Sequence, residues 1–503
     1  LHDRGSRQLT EKEPPTTDSE REPSRPRRRR RTRLVASLLI LFHVLGAISS
    51  VHAIMSTRTA QGAVAWVVSL NTFPYLAVPA YWVLGRNKFR GYVSARQLVD
   101  EELLRVEPEI VAHVDTFLVP HEELTPGLRM VDTLTDLPFS RGNDLELLVD
   151  GEATFASILE GIESAERYVL FQFYIIKDDA LGTEIKDLLI RKAGEGVQVY
   201  FLYDEIGSSK LSRPYLNELR DAGVEVSAFN TRQGRRNRFQ LNFRNHRKIV
   251  VVDGHTAWIG GHNVGDEYLG RDPKFGHWRD THVRMIGPAV IGAQLSFLED
   301  WHWATRRTPE LDWLPDPATD ADRKVLVIPT GPADVRETAS LLFVQAISAA
   351  TERVWIASPS FVPDEAVLKA LELADLRGVD VRILIPDEPD HMLVYLAAFT
   401  FVDELAHTDI GFYRYTGGFL HQKVVLVDDH IAVVGTANLD NRSLRLNFEV
   451  SALAVDPEFA SEVAGMLEAD FARSRRMRDG EFREKPRWLQ FAARAARLTA
   501  PIL

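Results

Sequence analysis

The chain has 503 residues, 26% of them charged, with a net charge of −11 and no cysteine. The lack of cysteine excludes disulfides, thiolate metal sites and a cysteine nucleophile, and leaves the redox compartment undetermined. Residues 1–33 carry eleven Lys/Arg against six Asp/Glu, so the remainder sits near −16, a poor general-purpose surface for nucleic-acid phosphates.

Residues 1–33 are rich in Pro, Ser, Thr, Glu and Arg and almost devoid of apolar side chains, which predicts a disordered basic cytoplasmic tail. Arg27 to Arg31 directly precede an apolar segment, a position that favours a membrane flank over a nucleic-acid arm. Leu34 to Met55 and Ala63 to Leu84 are each about 22 residues, enough at 1.5 Å per residue for the roughly 30 Å hydrocarbon core. The short connection between them makes 34–90 a transmembrane helical hairpin, with Pro74 and Pro79 placed to kink the second helix or leave it re-entrant. The arginine run lies before the hairpin and Arg86, Lys88, Arg90 and Arg96 after it, against only Arg58 in the loop. The positive-inside rule then puts both ends, and the body that follows, on the cytoplasmic side of the cell membrane, in a multi-pass protein. A cleaved signal peptide would share the basic start and the Val51-His52-Ala53 ending, but the length and the second span argue against it.

A connector, 91–141, carries one or two short helices. From 142 to 310 strands and helices alternate: a strand near Leu145, a helix over Ala153 to Ala165, a strand over Tyr168 to Ile176, a helix over Leu181 to Ala193 and a strand over Val197 to Tyr203. Arg235, Arg236 and Arg238 follow, either meeting phosphate or lining a solvated loop. From 311 to 476 the order repeats, with strands at Val325 to Ile328, Val354 to Ser358 and Val379 to Ile385 and helices at Thr338 to Ala350 and Glu365 to Leu376. The fold class is therefore α/β: two duplicated lobes, each a mixed β-sheet flanked by helices, related by a pseudo-twofold axis. Residues 477–503 form a basic amphipathic segment in which Trp488, Phe491 and Leu498 run beside Arg487, Arg494 and Arg497. Such a helix either lies in a lipid interface or packs on the body.

The duplication is sharpest in one stretch. Asn245 to Asn263 reads N-H-R-K-I-V-V-V-D-G-H-T-A-W-I-G-G-H-N, and Leu420 to Asn438 reads L-H-Q-K-V-V-L-V-D-D-H-I-A-V-V-G-T-A-N. Both have the form H-x-K-x4-D followed by G-x-x-N, and His246, Lys248, Asp253, Gly260 and Asn263 each recur 175 positions later. Alternate residues of a strand share a face, so His246 projects with Lys248 and His421 with Lys423. Asp253 and Asp428 fall where a hairpin turns. One such match fits a solvated strand face; two in register do not.

These residues resemble the phospholipase D superfamily, whose hallmark is a pair of H-x-K-x4-D motifs. The stretches R-N-H-R-K-I-V-V-V-D-G, G-D-E-Y-L-G-R-D-P-K-F-G-H-W-R-D-T-H-V-R, F-V-P-D-E-A and G-T-A-N-L-D-N-R-S-L-R-L-N-F-E are similar to bacterial cardiolipin synthases, from about Ala63 onwards. The resemblance implies that His246, Lys248, Asp253, His421, Lys423 and Asp428 form the catalytic motif set. The two aspartates, past their strands, are expected to be salt-bridge partners more than chemical actors. It also implies that Asp280 and Glu449, 34 and 28 residues after their respective histidines, orient the imidazoles.

A phosphodiester needs a nucleophile, an acid for the leaving alkoxide and positive charge on the non-bridging oxygens. One histidine attacks phosphorus and the other handles the proton, while Lys248 and Lys423, with Asn263 and Asn438, hold the phosphoryl oxygens. No metal or other cofactor is expected, since two lysines supply the charge. The family implies that two phosphatidylglycerol molecules give cardiolipin and glycerol through a phosphohistidine on the N-terminal histidine. Symmetry leaves His246 and His421 indistinguishable. Hydrolytic phospholipase D, or a transferase using another alcohol, would carry the same motifs. A nucleic-acid phosphodiesterase is disfavoured by the membrane hairpin and acidic body, and an idle membrane scaffold by the two intact motifs.

Overall fold

A computed structural model describes residues 25–57, 59–85, 89, 92, 93, 96, 114–135, 137–230, 242–314, 316–389 and 391–503. The tail up to residue 24, much of the expected connector, and Arg235, Arg236 and Arg238 lie outside these residues. The chain divides into two compact units, Leu1–Tyr81 and Trp82–Leu503.

In the first unit, helix Arg25–Ser56 reaches back into residues expected to be disordered; arginine is a good helix former, and Pro26 suits a first turn. Its stretch Arg31–Ser56, 26 residues, is long and apolar enough to cross a membrane. The second expected span is not one helix. It divides at Phe73 into Ala60–Thr72 and Pro74–Leu84, because Pro74 has no N–H to continue the ladder and its ring clashes with the preceding turn. At 13 and 11 residues, each piece reaches only about 20 Å or less. Gly46 allows close approach of the first two helices: a Cβ there would lie 2.3 Å from the Leu70 carbonyl oxygen. Asn71 Nδ2 donates to Ser50 Oγ across the same contact at 2.8 Å.

The second unit is built on a 16-stranded sheet among the described residues. Outwards from its middle, one half runs Ser140–Val149, Thr281–Ile286, Thr256–Gly260, Ile249–Val252, Tyr168–Phe173, Gln198–Asp204 and Glu225–Phe229. The other half runs Arg323–Thr330, Asn447–Val455, Ile431–Gly435, Val424–Val427, Arg353–Ala357, Asp380–Pro386 and Gly411–Tyr415, with Ser474–Arg476 added at its edge. The sixteenth strand, Arg244–Asn245, lies off this path and pairs with Asn447–Val455. The inner pairings of both halves are antiparallel. The two outermost pairings they share are parallel. The halves meet where Ser140–Val149 pairs antiparallel with Arg323–Thr330, as a pseudo-twofold axis requires. The two lobes therefore share one continuous sheet.

The apolar motif strands explain the layering. Ile249 and Val251 point into a core common to both halves, which also takes Val290, Phe297 and Trp301 of helix Val290–Thr305 and Phe459, Val463 and Leu467 of helix Pro457–Ala472. Val250 and Val252, on the opposite face, enter a core built from the first half, joined by Phe419 of the second. The second half has its own counterpart around Val425 and Val427. The shared core locks the two motifs into one rigid frame.

Candidate active site

Each motif histidine is positioned by the other half of the molecule. The short strand Arg244–Asn245 runs parallel to Asn447–Phe448, and the His246 N–H donates to the Phe448 carbonyl at 2.9 Å. Its counterpart Phe419–Leu420 runs parallel to Trp278–Arg279, and the His421 N–H donates to the Arg279 carbonyl at 2.8 Å. The residue after each of those carbonyls is the acid. His246 Nδ1 consequently lies 2.8 Å from Glu449 Oε2, and His421 Nδ1 lies 2.7 Å from Asp280 Oδ2. The expectation that each acid serves the histidine preceding it in its own half is corrected. The partners are exchanged, because the lead-in strands pair across the twofold axis.

The carboxylates are held as ions. Glu449 is fully buried and accepts from Thr436 Oγ1 at 2.6 Å, Ser443 Oγ at 2.8 Å and Asn447 Nδ2 at 3.1 Å. Burial alone would raise its pKa, but His246, Lys248 and the Thr436 hydroxyl outweigh it and the net shift is downward. Asp280 is likewise buried, yet Lys423, His262 and His421 hold it well below the usual carboxylate range. An ionised carboxylate facing Nδ1 favours the proton on that nitrogen and the lone pair on Nε2; at His421 the Lys423 ammonium also lies 2.9 Å from Nδ1. Among the described residues neither Nε2 has a hydrogen-bond partner, and both side chains keep a little solvent access.

Burial is also the largest influence on the bases. It pushes His246 below the ordinary imidazole range, opposed by Glu449, and drives His421 to about 3, with Lys423 adding and Asp280 opposing. Lys248 is fully buried, donates to the His246 carbonyl at 2.6 Å and lies 5.6 Å from the centre of the Tyr174 ring. Burial lowers it to about 7, Glu449 opposing and Lys423 adding. Each lysine thus acts on the other's half, which gathers both His-Lys pairs into one electrostatic cluster. Tyr174 meets the His246 ring edge-on at 5.0 Å, and Trp278 lies 5.2 Å from the His421 ring.

Asp253 and Asp428 stand apart from this chemistry. Both have a positive φ, 54° and 51°. The Asp253 carboxylate accepts the N–H groups of Glu166, Arg167 and Tyr168 at 2.7–2.8 Å. Asp428 accepts those of Thr351, Glu352 and Arg353. Instead of the expected salt bridges, they anchor backbone amides at the head of the neighbouring strand, while Arg167 and Arg353 bond the aspartates' main-chain carbonyls. The asparagines are engaged locally too. Asn263 Oδ1 accepts from the Ile175 N–H at 3.0 Å and its Nδ2 donates to Tyr268; Asn438 Nδ2 donates to Asp440 at 3.2 Å. Among the described residues, no cluster of three or more His, Cys, Asp or Glu side chains could hold a metal.

Several supporting residues were not singled out from the sequence. Arg247, between His246 and Lys248, is buried against Asp300 at 3.1 Å. At the matching position Gln422 donates to Asp470, which also pairs with Arg279 of the first half at 2.7 Å. Asp300 and Asp470 sit on equivalent helices, so the repeat itself held this signal. Gly261 is a second case: a Cβ there would lie 1.9 Å from Asp280 Oδ1, whereas its counterpart Thr436 bonds Glu449.

Comparison with known proteins agrees with this geometry. The family described as "Cardiolipin synthase, PLD-like domain" matches residues 158–272 and 343–471, one segment in each half. The chain is 51% identical to cardiolipin synthase A of Pseudomonas fluorescens (strain Pf-5) over 469 residues, 93% of this chain and 98% of that protein. It is 48% identical to the same-named protein of Pseudomonas entomophila, with the same coverage of both chains. Among solved structures, the phosphatidylserine synthase of Haemophilus influenzae superposes with a TM-score of 0.58 over 75% of this chain and all of that one; at 17% identity the likeness is one of fold. The chain belongs to the cardiolipin synthase family, phosphatidyltransferases with the phospholipase D-like fold.

Proposed function

We propose that the chain transfers a phosphatidyl group from one phosphatidylglycerol to another, giving cardiolipin and glycerol. His246 Nε2 attacks phosphorus, and the bond to the departing glycerol oxygen breaks as His421, which takes up a proton at Nε2 when the phosphodiester anion binds beside it, passes that proton to the oxygen. His421, neutral after that transfer, then takes the proton of the second phosphatidylglycerol's primary hydroxyl, whose oxygen displaces His246; His246 leaves as the neutral base and His421 is left as the acid for the next cycle. Lys248 and Lys423 neutralise the non-bridging oxygens in both steps, and Asn263 and Asn438 help to hold them. Glu449 and Asp280 fix the two rings. The observation that carries this reading is the pair of imidazoles, each held through Nδ1 by a carboxylate of the opposite half.

The membrane setting supports transfer over hydrolysis. An apolar helix of 26 residues keeps the enzyme where acceptor lipid is concentrated and water scarce. In this reading the chain is multi-pass, with helices Ala60–Thr72 and Pro74–Leu84 returning through the membrane and the catalytic unit on the cytoplasmic side. Lipid product analysis of the purified protein supplied with phosphatidylglycerol tests the proposal. Cardiolipin and glycerol are expected; phosphatidic acid as the main product would make it a hydrolase.

A further inference from the structure

Helix Arg487–Arg497 is packed the wrong way round for a protein surrounded by water. Its inner face is made of small residues: Ala493 and Ala496, with Ala500 just beyond, are buried against the body. The helix it packs on is Met392–Glu404, and Arg497 is tied there to Glu404. On the opposite side, at helical spacing, Trp488 is 70% exposed, Phe491 75% and Leu498 83%. Burying alanines while presenting Trp, Phe and Leu to solvent forfeits most of the apolar burial the helix could offer. The outward face therefore requires an apolar partner.

Charge indicates which partner. Arg487 and Arg494 flank this face, both exposed, and neither forms an ion pair among the described residues; Arg494 meets only the Gln490 amide at 3.4 Å and the Phe482 ring at 5.6 Å. Aromatic and aliphatic side chains beside arginines that have no acidic partner among the described residues match the boundary between acyl chains and anionic headgroups. A twofold contact with a second copy would bring the same arginines towards each other. We propose that Trp488, Phe491 and Leu498 dock this helix into the headgroup–acyl boundary of an anionic bilayer, with Arg487 and Arg494 on lipid phosphates.

This surface is mechanically tied to the active site. The Ile502 and Leu503 carbonyls, just past the helix, accept from Arg442 Nη1 at 3.1 Å and from the Arg442 N–H at 2.7 Å. Arg442 belongs to helix Asn441–Arg445, whose Ser443 hydroxyl bonds Glu449. Docking thus fixes the His246–Glu449 pair relative to the bilayer. The inference concerns the surface alone and holds whichever alcohol is the acceptor.

The cysteine-free chain allows a clean test. Phe491→Cys in the full-length protein is labelled with an environment-sensitive fluorophore and reconstituted into vesicles of equal parts phosphatidylglycerol and phosphatidylethanolamine. A label at the exposed Glu468→Cys serves as reference. Quenching of the Phe491 label by acyl-chain nitroxide lipids, with protection from iodide, is expected, and the reverse at Glu468. Iodide quenching equal to that at Glu468 would overturn the proposal. So would protection from both quenchers, or disulfide-linked dimers through Phe491→Cys, since each puts protein rather than lipid on the face. Separately, Phe491→Glu is expected to lower turnover of vesicle-borne substrate about tenfold, the partition of one large apolar side chain, and to spare detergent-dispersed substrate. Equal losses in both assays would assign the residue a purely internal role and reject docking.

Discussion

His246 Nδ1 lies 2.8 Å from a Glu449 carboxylate oxygen supplied by the opposite half of the molecule. Neither half therefore holds a complete histidine–acid pair, and the duplicated unit works only as a joined pair of lobes. Crossing makes the two acids separable by experiment. Glu449→Gln should act on His246 and slow attack on phosphorus; Asp280→Asn should act on His421 and, since His421 also protonates the departing glycerol, slow breakdown of the intermediate in addition to attack. Each should cost about 10²–10⁴-fold in its own step, through loss of the correct tautomer. Rapid-quench analysis of the two steps checks this, and slowing of breakdown by Glu449→Gln would indicate pairing within one half.

The motif aspartates should behave as structural residues. Asp253→Ala leaves three backbone N–H groups without their acceptor, which should lower stability by about 2–4 kcal/mol. Denaturant titration in detergent measures it. Loss of turnover in a variant of unchanged stability would instead give Asp253 a chemical role.

Much of this site could be read directly from residue order, and the parts that could not share a cause. Alternation along a strand puts His246 with Lys248 and His421 with Lys423, and the β-branched runs after them read as buried strands. The exchange of Glu449 and Asp280 could not be read that way, because distance along the chain favours the nearer acid. The exchange follows from two-residue strands, Arg244–Asn245 and Phe419–Leu420, too short to leave a periodic signal. Hydropathy alone ran through Phe73 without a break, although Pro74 carries the backbone chemistry that ends the helix.

Gly261 tests how closely Asp280 must be held. Gly261→Ala would place a methyl group 1.9 Å from Asp280 Oδ1 and displace the carboxylate from His421, costing about 100-fold in turnover. Gly465→Ala, whose Cβ meets nothing within 4 Å, should be harmless. Equal activity in both variants would show that the Asp280 position tolerates movement.

Two pH effects follow from burial. His421, lowered to about 3, and His246, His262 and His282, also lowered chiefly by burial, stay neutral in the folded protein where the unfolded chain binds protons. Their contribution to stability is intact above the ordinary histidine pKa of about 6.5 and is lost as pH falls from there towards 3. Denaturation midpoints measured downwards from neutral pH should drop steeply; a flat profile would contradict neutral buried histidines.

Lys248, lowered to about 7, loses its charge as pH rises through that value. The pH profile of kcat/KM should fall above about pH 7, whereas kcat, measured with the phosphate anion bound, should hold to higher pH. Lys248→Arg should shift the alkaline limb upwards, since guanidinium stays charged. An unmoved limb would assign it to another group.

The most direct measurement is a single-turnover trap with phosphorus-labelled phosphatidylglycerol, using His421→Ala to slow release. The account predicts label on His246 in an acid-labile, base-stable N–P bond, none in His246→Ala, and net retention of configuration at phosphorus after two in-line steps. Absence of any adduct, together with inverted configuration in the product, would contradict it.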